Sequence, residues 1–153
     1  MKNLNKILLI LVIFITSSLA LAKIYFLPND AKSAKKEITS LIKNAKTSVD
    51  IAMYNFSYKK FNKALVKATK RDVAVTLIYG KTKLKLSKNF KLIQTKNKQH
   101  IKLAIIDNHY VIFGSANWTK ESFSENYEII NIIDDKEKVQ KFIKIFKQLK
   151  EEN

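Results

Sequence analysis

Two polar side chains at i and i+2, His100 and Lys102, stand at the head of an apolar run, and there the chain first offers chemistry. If Lys102 to Ile106 (Lys-Leu-Ala-Ile-Ile) is a strand, the spacing places both side chains on one face of a sheet. Asp107-Asn108 reads as a tight turn, and a second apolar run, Tyr110 to Phe113, returns along the first. It stops at Gly114-Ser115-Ala116-Asn117-Trp118-Thr119, which brings Ser115 and Asn117 back towards His100 and Lys102. An imidazole, an ammonium, a hydroxyl and an amide at one sheet edge suit a phosphodiester. Hydrolysis of that bond without metal needs a nucleophile, a cationic clamp for the phosphoryl oxygens and a general acid for the leaving group. His100 is the candidate nucleophile in a fitting context; His109 sits in the turn, lacks a lysine two residues on, and is assigned to the surface.

The spacing His100-x-Lys102-x4-Asp107, six residues, then Gly114-Ser115-x-Asn117, resembles the signature of the phospholipase D superfamily. The later Ser124-Glu125-Asn126 is similar to a further element of that family. In size the chain resembles the short, single-motif bacterial endonucleases of the Nuc type. The resemblance implies that His100 attacks phosphorus to form a phosphohistidine, which water then hydrolyses. Lys102 and Asn117 would hold the non-bridging oxygens, with Ser115 helping to position them. Glu125 would accept the Nδ1 proton of His100 and fix its tautomer; Glu128 could stand in for it, though its place in the next strand reads as a solvent-face charge. Asp107 reads as structural, tying down the hairpin turn or a neighbouring backbone, and Gly114 belongs to the motif. The mechanism uses two histidines, one as nucleophile and one as acid, and the chain supplies one in context. A homodimer whose two-fold axis passes between two copies of His100 meets that count. No cofactor and no metal are implied.

The elements that must position these residues alternate. A strand from Ile24 to Leu27 ends at Pro28, and Asn29 or Asp30 can cap a helix to about Lys46. Val49 to Phe56 reads as a buried strand, Ser57 as the cap of a helix to Lys70, and Val73 to Tyr79 as a third strand. Between Lys81 and Lys98 lie seven lysines around a short apolar core at Phe90, Leu92 and Ile93, read as one short strand between basic loops. Lys81, Lys83, Lys96 and Lys98 could track phosphates there, and Trp118, core or rim by type, is placed with them as a substrate contact. Tyr127 to Ile133 forms a further strand, and Asp134, with Glu137 three residues on, caps a last helix. The fold class expected is α/β, a mixed, largely parallel sheet flanked by helices in an α/β/α sandwich, with one half-site per protomer.

Composition bounds the partners. The 153 residues carry 29 basic side chains against 13 acidic ones, a net charge of +16, with Arg71 the sole arginine. An AT-rich genome would inflate lysine, yet a surplus this large still attracts polyanions, either nucleic acid or an anionic membrane. The absence of cysteine excludes disulfides and thiolate metal sites, and two histidines leave no material for a His-rich metal centre. Residues 1–22 read as an export signal: Lys2 and Lys6, an apolar run from Ile7 to Ile15, and Ala20-Leu21-Ala22 as the cleavage pattern. An uncleaved anchor is the alternative for that segment, and residues 23–153 form the one domain.

These observations lead to an exported, metal-independent phosphodiesterase acting on DNA or RNA, in a periplasmic or secreted location. A phospholipase acting on membrane phospholipids is the runner-up, and a non-catalytic nucleic-acid-binding relative the third reading.

Overall fold

The computed structural model describes residues 22–95 and 99–153. The expected export signal therefore lies outside the described residues except for Ala22, as do Lys96 and Lys98. Strand β1 (Ala22–Leu27) leads into α1 (Ala31–Asn44), β2 (Ser48–Asn55), α2 (Lys59–Thr69) and β3 (Ala74–Lys81). Then follow β4 (Lys91–Gln94), β5 (Lys102–Ile106), β6 (Tyr110–Gly114), α3 (Lys120–Ser124), β7 (Glu128–Ile133) and α4 (Lys136–Glu151).

The strands form one mixed sheet in the order β1-β7-β6-β5-β2-β3-β4. Parallel pairing is confined to β2 with β3 and β3 with β4, and every other neighbouring pair is antiparallel. The expectation of a largely parallel sheet is corrected to that extent. The helical crossover through α2 returns β3 parallel to β2, whereas the tight turn after β5 can only return β6 antiparallel.

Each face of the sheet buries its own core. Ala104 and Ile106 of β5 join Ile38 and Ile42 of α1 and Phe61 and Leu65 of α2 on one face. Leu103 and Ile105 join Val139 and Phe146 of α4 on the other. That period-2 split explains why β5 is buried along its whole length, as a strand covered by helices on both sides must be.

Three details differ from the sequence reading. Helix α2 begins after Tyr58, and no side-chain cap forms, so Ser57 does not cap it. The cap of α4 is Asp135, whose carboxylate accepts from Lys138 N–H at 2.9 Å, one residue beyond the expected Asp134. Helix α3 was not anticipated; it is a single turn whose N-cap Thr119 accepts from Ser122 N–H at 3.1 Å.

Candidate active site

The register brings the C-terminal ends of β2, β3 and β6 together with the N-terminal ends of β5 and β7. Lys102 opposes Met53, Asn55 opposes Lys81, and Gly114 opposes Ile130. His100, Lys102, Ser115 and Asn117 thus reach one end of the sheet, each from its own loop or strand terminus.

Lys102 is the electrostatic centre of this end. Only 7% of it is exposed, and its ammonium lies 2.8 Å from the His100 carbonyl oxygen and 3.0 Å from His100 Nδ1. Burial pushes its pKa below the usual lysine value, and the field of Glu128 pulls the other way. An ammonium at that distance donates to Nδ1, which leaves the proton of a neutral imidazole on Nε2. For Nε2 to act as a nucleophile, Nδ1 must instead donate its own proton to an acceptor.

Glu125 is the acceptor that the resemblance implies. It closes α3, is exposed, and its carboxylate meets Ser124 Oγ at 3.4 Å. Glu128, the first residue of β7, is the carboxylate whose field reaches Lys102. It shares the side-chain face of Ile130 and Ile132, which is also the face of Ala104 and Ile106 and so of Lys102. Glu128 is therefore a second candidate for the acceptor beside Glu125. The two buried isoleucines at i+2 and i+4 were the available signal, obscured because Ile129 makes the run apolar on both faces.

The two donors opposite are oriented from behind. Asn117 Oδ1 accepts Asn55 N–H at 3.0 Å, leaving the amide NH2 as its free end. Ser115 Oγ accepts Ile129 N–H at 3.0 Å, which leaves its hydroxyl hydrogen to donate elsewhere. Ser115 N–H in turn donates to Ile129 C=O at 3.0 Å, so the Gly-Ser segment lies flush against β7. Gly114 permits this: its φ is +157°, and a Cβ there would collide with the Ile129 carbonyl oxygen.

Tyr54 is a site residue that the sequence reading missed. Its ring centroid lies 5.3 Å from that of His100, with Lys102 Nζ at 5.8 Å and Lys81 Nζ at 5.1 Å. These are cation–π distances, and they place Lys81 beside the same ring as Lys102. Gly80 supplies the space, because a Cβ at that position would sit 2.7 Å from Tyr54 Cδ2. A Gly directly before the lysine, paired with a strand-end Tyr, was the only trace of this in the sequence.

Trp118 and His109 lie elsewhere. Trp118 is 2% exposed and packs on Phe56 and Phe61 at centroid distances of 6.1 and 4.8 Å. Its expected place as a substrate contact is therefore corrected: a ring without solvent access cannot stack on a ligand. His109 is exposed at the far end of the β5–β6 hairpin, against Tyr110. Among the described residues no three His, Cys, Asp or Glu side chains converge as a metal site would require.

Residues 38–150 match the family described as "Cardiolipin synthase, PLD-like domain". The chain belongs to the phospholipase D superfamily. Its fold is similar to that of NucT from Helicobacter pylori, with a TM-score of 0.76 at 26% identity over 87% of this chain and 97% of that one. It is similar also to Nuc from Salmonella typhimurium, a phospholipase D family member: TM-score 0.72, 26% identity, 84% and 93% covered. Among curated proteins, the mitochondrial cardiolipin hydrolase of Xenopus laevis is 28% identical over 137 residues, 82% of this chain. The phospholipase D of Rickettsia prowazekii is 29% identical over 119 residues, 71% of this chain. The chain spans 65% and 58% of the lengths of these two relatives. The α/β/α sandwich expected for the superfamily is thus the fold observed.

Proposed function

We propose that this superfamily member is an exported phosphodiester hydrolase, and that its substrate is nucleic acid cleaved through a phosphohistidine. The observation that carries the reading is a desolvated Lys102 ammonium set against the His100 imidazole, with the free donor ends of Ser115 and Asn117 at the same sheet end. A phosphodiester anion meets the charge of Lys102, which has no carboxylate within ion-pair distance among the described residues. Once Nδ1 donates to a carboxylate in place of accepting from Lys102, Glu125 or Glu128 filling that role, His100 Nε2 attacks phosphorus. A P–N bond forms as the bond to the leaving oxygen breaks, and a proton passes to that oxygen. Water then attacks phosphorus and the P–N bond breaks. Export rests on residues 1–22 of the sequence; among the described residues no helix is long and apolar enough to cross a membrane.

The general acid is His100 of a second copy, because His109 lies at the wrong end of the hairpin. An apolar recess of about 350 Å³ supports this pairing: His100 and Lys102 share its lining with Phe113, Phe142 and Ile145. If the site is shared, mixing wild-type and His100→Ala protomers lowers activity as the square of the wild-type fraction; a linear fall excludes sharing.

Nucleic acid is favoured over lipid by the likeness to NucT and Nuc, 97% and 93% of whose chains are covered, while the net charge of +16 would attract either polyanion. The relatives named for cardiolipin and phospholipid hydrolysis make lipid the competing substrate. Purified protein with plasmid, single-stranded DNA, RNA and cardiolipin vesicles, each with and without EDTA, decides between them. The expected result is EDTA-resistant cleavage of nucleic acid. Lipid turnover alone overturns the substrate, and complete loss in EDTA restored by a divalent ion overturns the chemistry.

A further inference from the structure

Away from the sheet end, the exposed side of α1 carries Lys32, Lys35, Lys36, Thr39, Ser40 and Lys43. These positions recur at three and four residues, so they form one stripe, distinct from the buried stripe of Ala31, Ala34, Ile38 and Ile42. The stripe forms one wall of a groove of about 520 Å³, with Tyr58 and Lys60 on the opposite side, and no carboxylate lines it. Among the described residues the ion pairs are Lys23–Glu37, Lys138–Asp135 and Lys141–Glu137, so none of the groove lysines is neutralised by a carboxylate. Four like charges along about 16 Å of α1, at 1.5 Å per residue, with Lys60 facing them, repel one another until an anion arrives.

The groove leads towards the active site. A second recess shares Tyr58 and Lys60 with it and continues past Ser57 and Lys59 to Lys120. Lys120 and Lys83 both lie within electrostatic reach of the Glu121 carboxylate. Lys83 follows two residues after Lys81, whose ammonium stands over Tyr54. A basic track thus runs from α1 to the end of the sheet that holds His100.

We propose that the α1–α2 groove is a second binding site, for the backbone of a single-stranded nucleic acid whose scissile phosphate lies at His100. The proposal rests on the nuclease reading of the active site for that register, and on the groove alone for the binding. Helices in contact have axes about 8–10 Å apart, a spacing that suits one strand rather than a duplex. Lysines with hydroxyls between them match a phosphate backbone, and sugar or phosphate contacts of this kind carry no sequence preference. Tyr58, at the junction of the two recesses, offers an aromatic edge, and Phe61 and Phe123 hold its ring in place at centroid distances of 4.6 and 5.4 Å.

The test is binding of a labelled 30-nucleotide single strand across a salt series, in a His100→Ala background so that the strand survives. The triple variant Lys32→Gln/Lys36→Gln/Lys43→Gln is compared with Lys136→Gln/Lys144→Gln/Lys147→Gln on α4, which removes equal charge from the other side of the sheet. Melting temperatures verify that both variants are folded. The groove variant should reduce the salt slope by about 2, from about 0.7 per phosphate contact on a single strand, while the α4 variant leaves it nearly unchanged. Equal losses in the two variants mean diffuse attraction and overturn the groove. Loss of binding to anionic vesicles, with strand binding intact, assigns the face to a membrane and overturns it equally. Should wild-type protein bind the strand through the groove yet cleave no phosphodiester, the active-site reading fails while the groove stands.

Discussion

The β5–β6 hairpin has two polar ends, and they differ in how completely their groups are satisfied. At the turn end, Asp107 and Asn108 adopt φ of +53° and +51°, and His109 N–H closes the turn on Ile106 C=O at 2.9 Å. The Asp107 carboxylate accepts from Lys46 N–H, Thr47 N–H, Thr47 Oγ and Ser48 N–H, all within 2.8–3.1 Å. Burial alone would raise its pKa, but the Thr47, Lys46 and Ser48 amides and the Thr47 hydroxyl together hold it below the usual carboxylate value. At the open end, burial lowers the pKa of Lys102, and its close partners are a carbonyl oxygen and an imidazole nitrogen rather than a carboxylate. A charged group met by several backbone and hydroxyl donors holds the fold together. One that is desolvated and short of counter-charge is arranged for a ligand.

The largest effects should come from the open end. His100→Ala should abolish turnover, while Lys102→Ala and Asn117→Ala should each lower kcat by roughly 100-fold or more, as loss of a transition-state donor does. Steady-state kinetics on a short oligonucleotide, with circular dichroism as a check on folding, measures this; wild-type turnover by His100→Ala would end the contrast. A sharper version concerns two carboxylates three residues apart. Glu128→Gln should cost at least about 100-fold in kcat, as loss of an orienting carboxylate does, and Glu125→Gln less than about twofold. The reverse order would return the tautomer-setting role to the exposed end of α3.

The smallest effect on activity belongs to the turn end. Asp107→Asn keeps a residue tolerant of positive φ but removes the charge, and should cost about 2 kcal/mol of stability with kcat nearly unchanged. The sign in pH follows from the depressed pKa. Asp107 contributes its stability above the unfolded carboxyl pKa of about 3.9 and loses it as pH falls through the lower folded value. Urea titrations from pH 7 down to about pH 2 should therefore find the wild-type advantage shrinking only below about pH 4. An advantage that persists undiminished into strong acid would mean that the charge does not carry it.

Periodicity and the residues that cap or break it determined the succession of strands and helices apart from the one-turn α3, because one buried face imposes a period of 2 or 3.6 on any chain that packs. Fixed spacing determined that His100, Lys102, Ser115 and Asn117 come to the same end of the sheet, because a tight turn between two short strands leaves them no other place to go. The sheet's pairing was decided elsewhere: which strands lie side by side depends on crossovers, and the antiparallel majority is invisible in a local pattern. Tyr54, beside His100, and Glu128, whose field reaches Lys102, come near through neighbours distant in sequence, β2 beside β5 and β7 beside β6, and no local spacing encodes that approach. Trp118 shows the limit from the other side. Its position in the motif placed it near the chemistry, and only packing against Phe56 and Phe61 from another part of the chain turned its ring into the core.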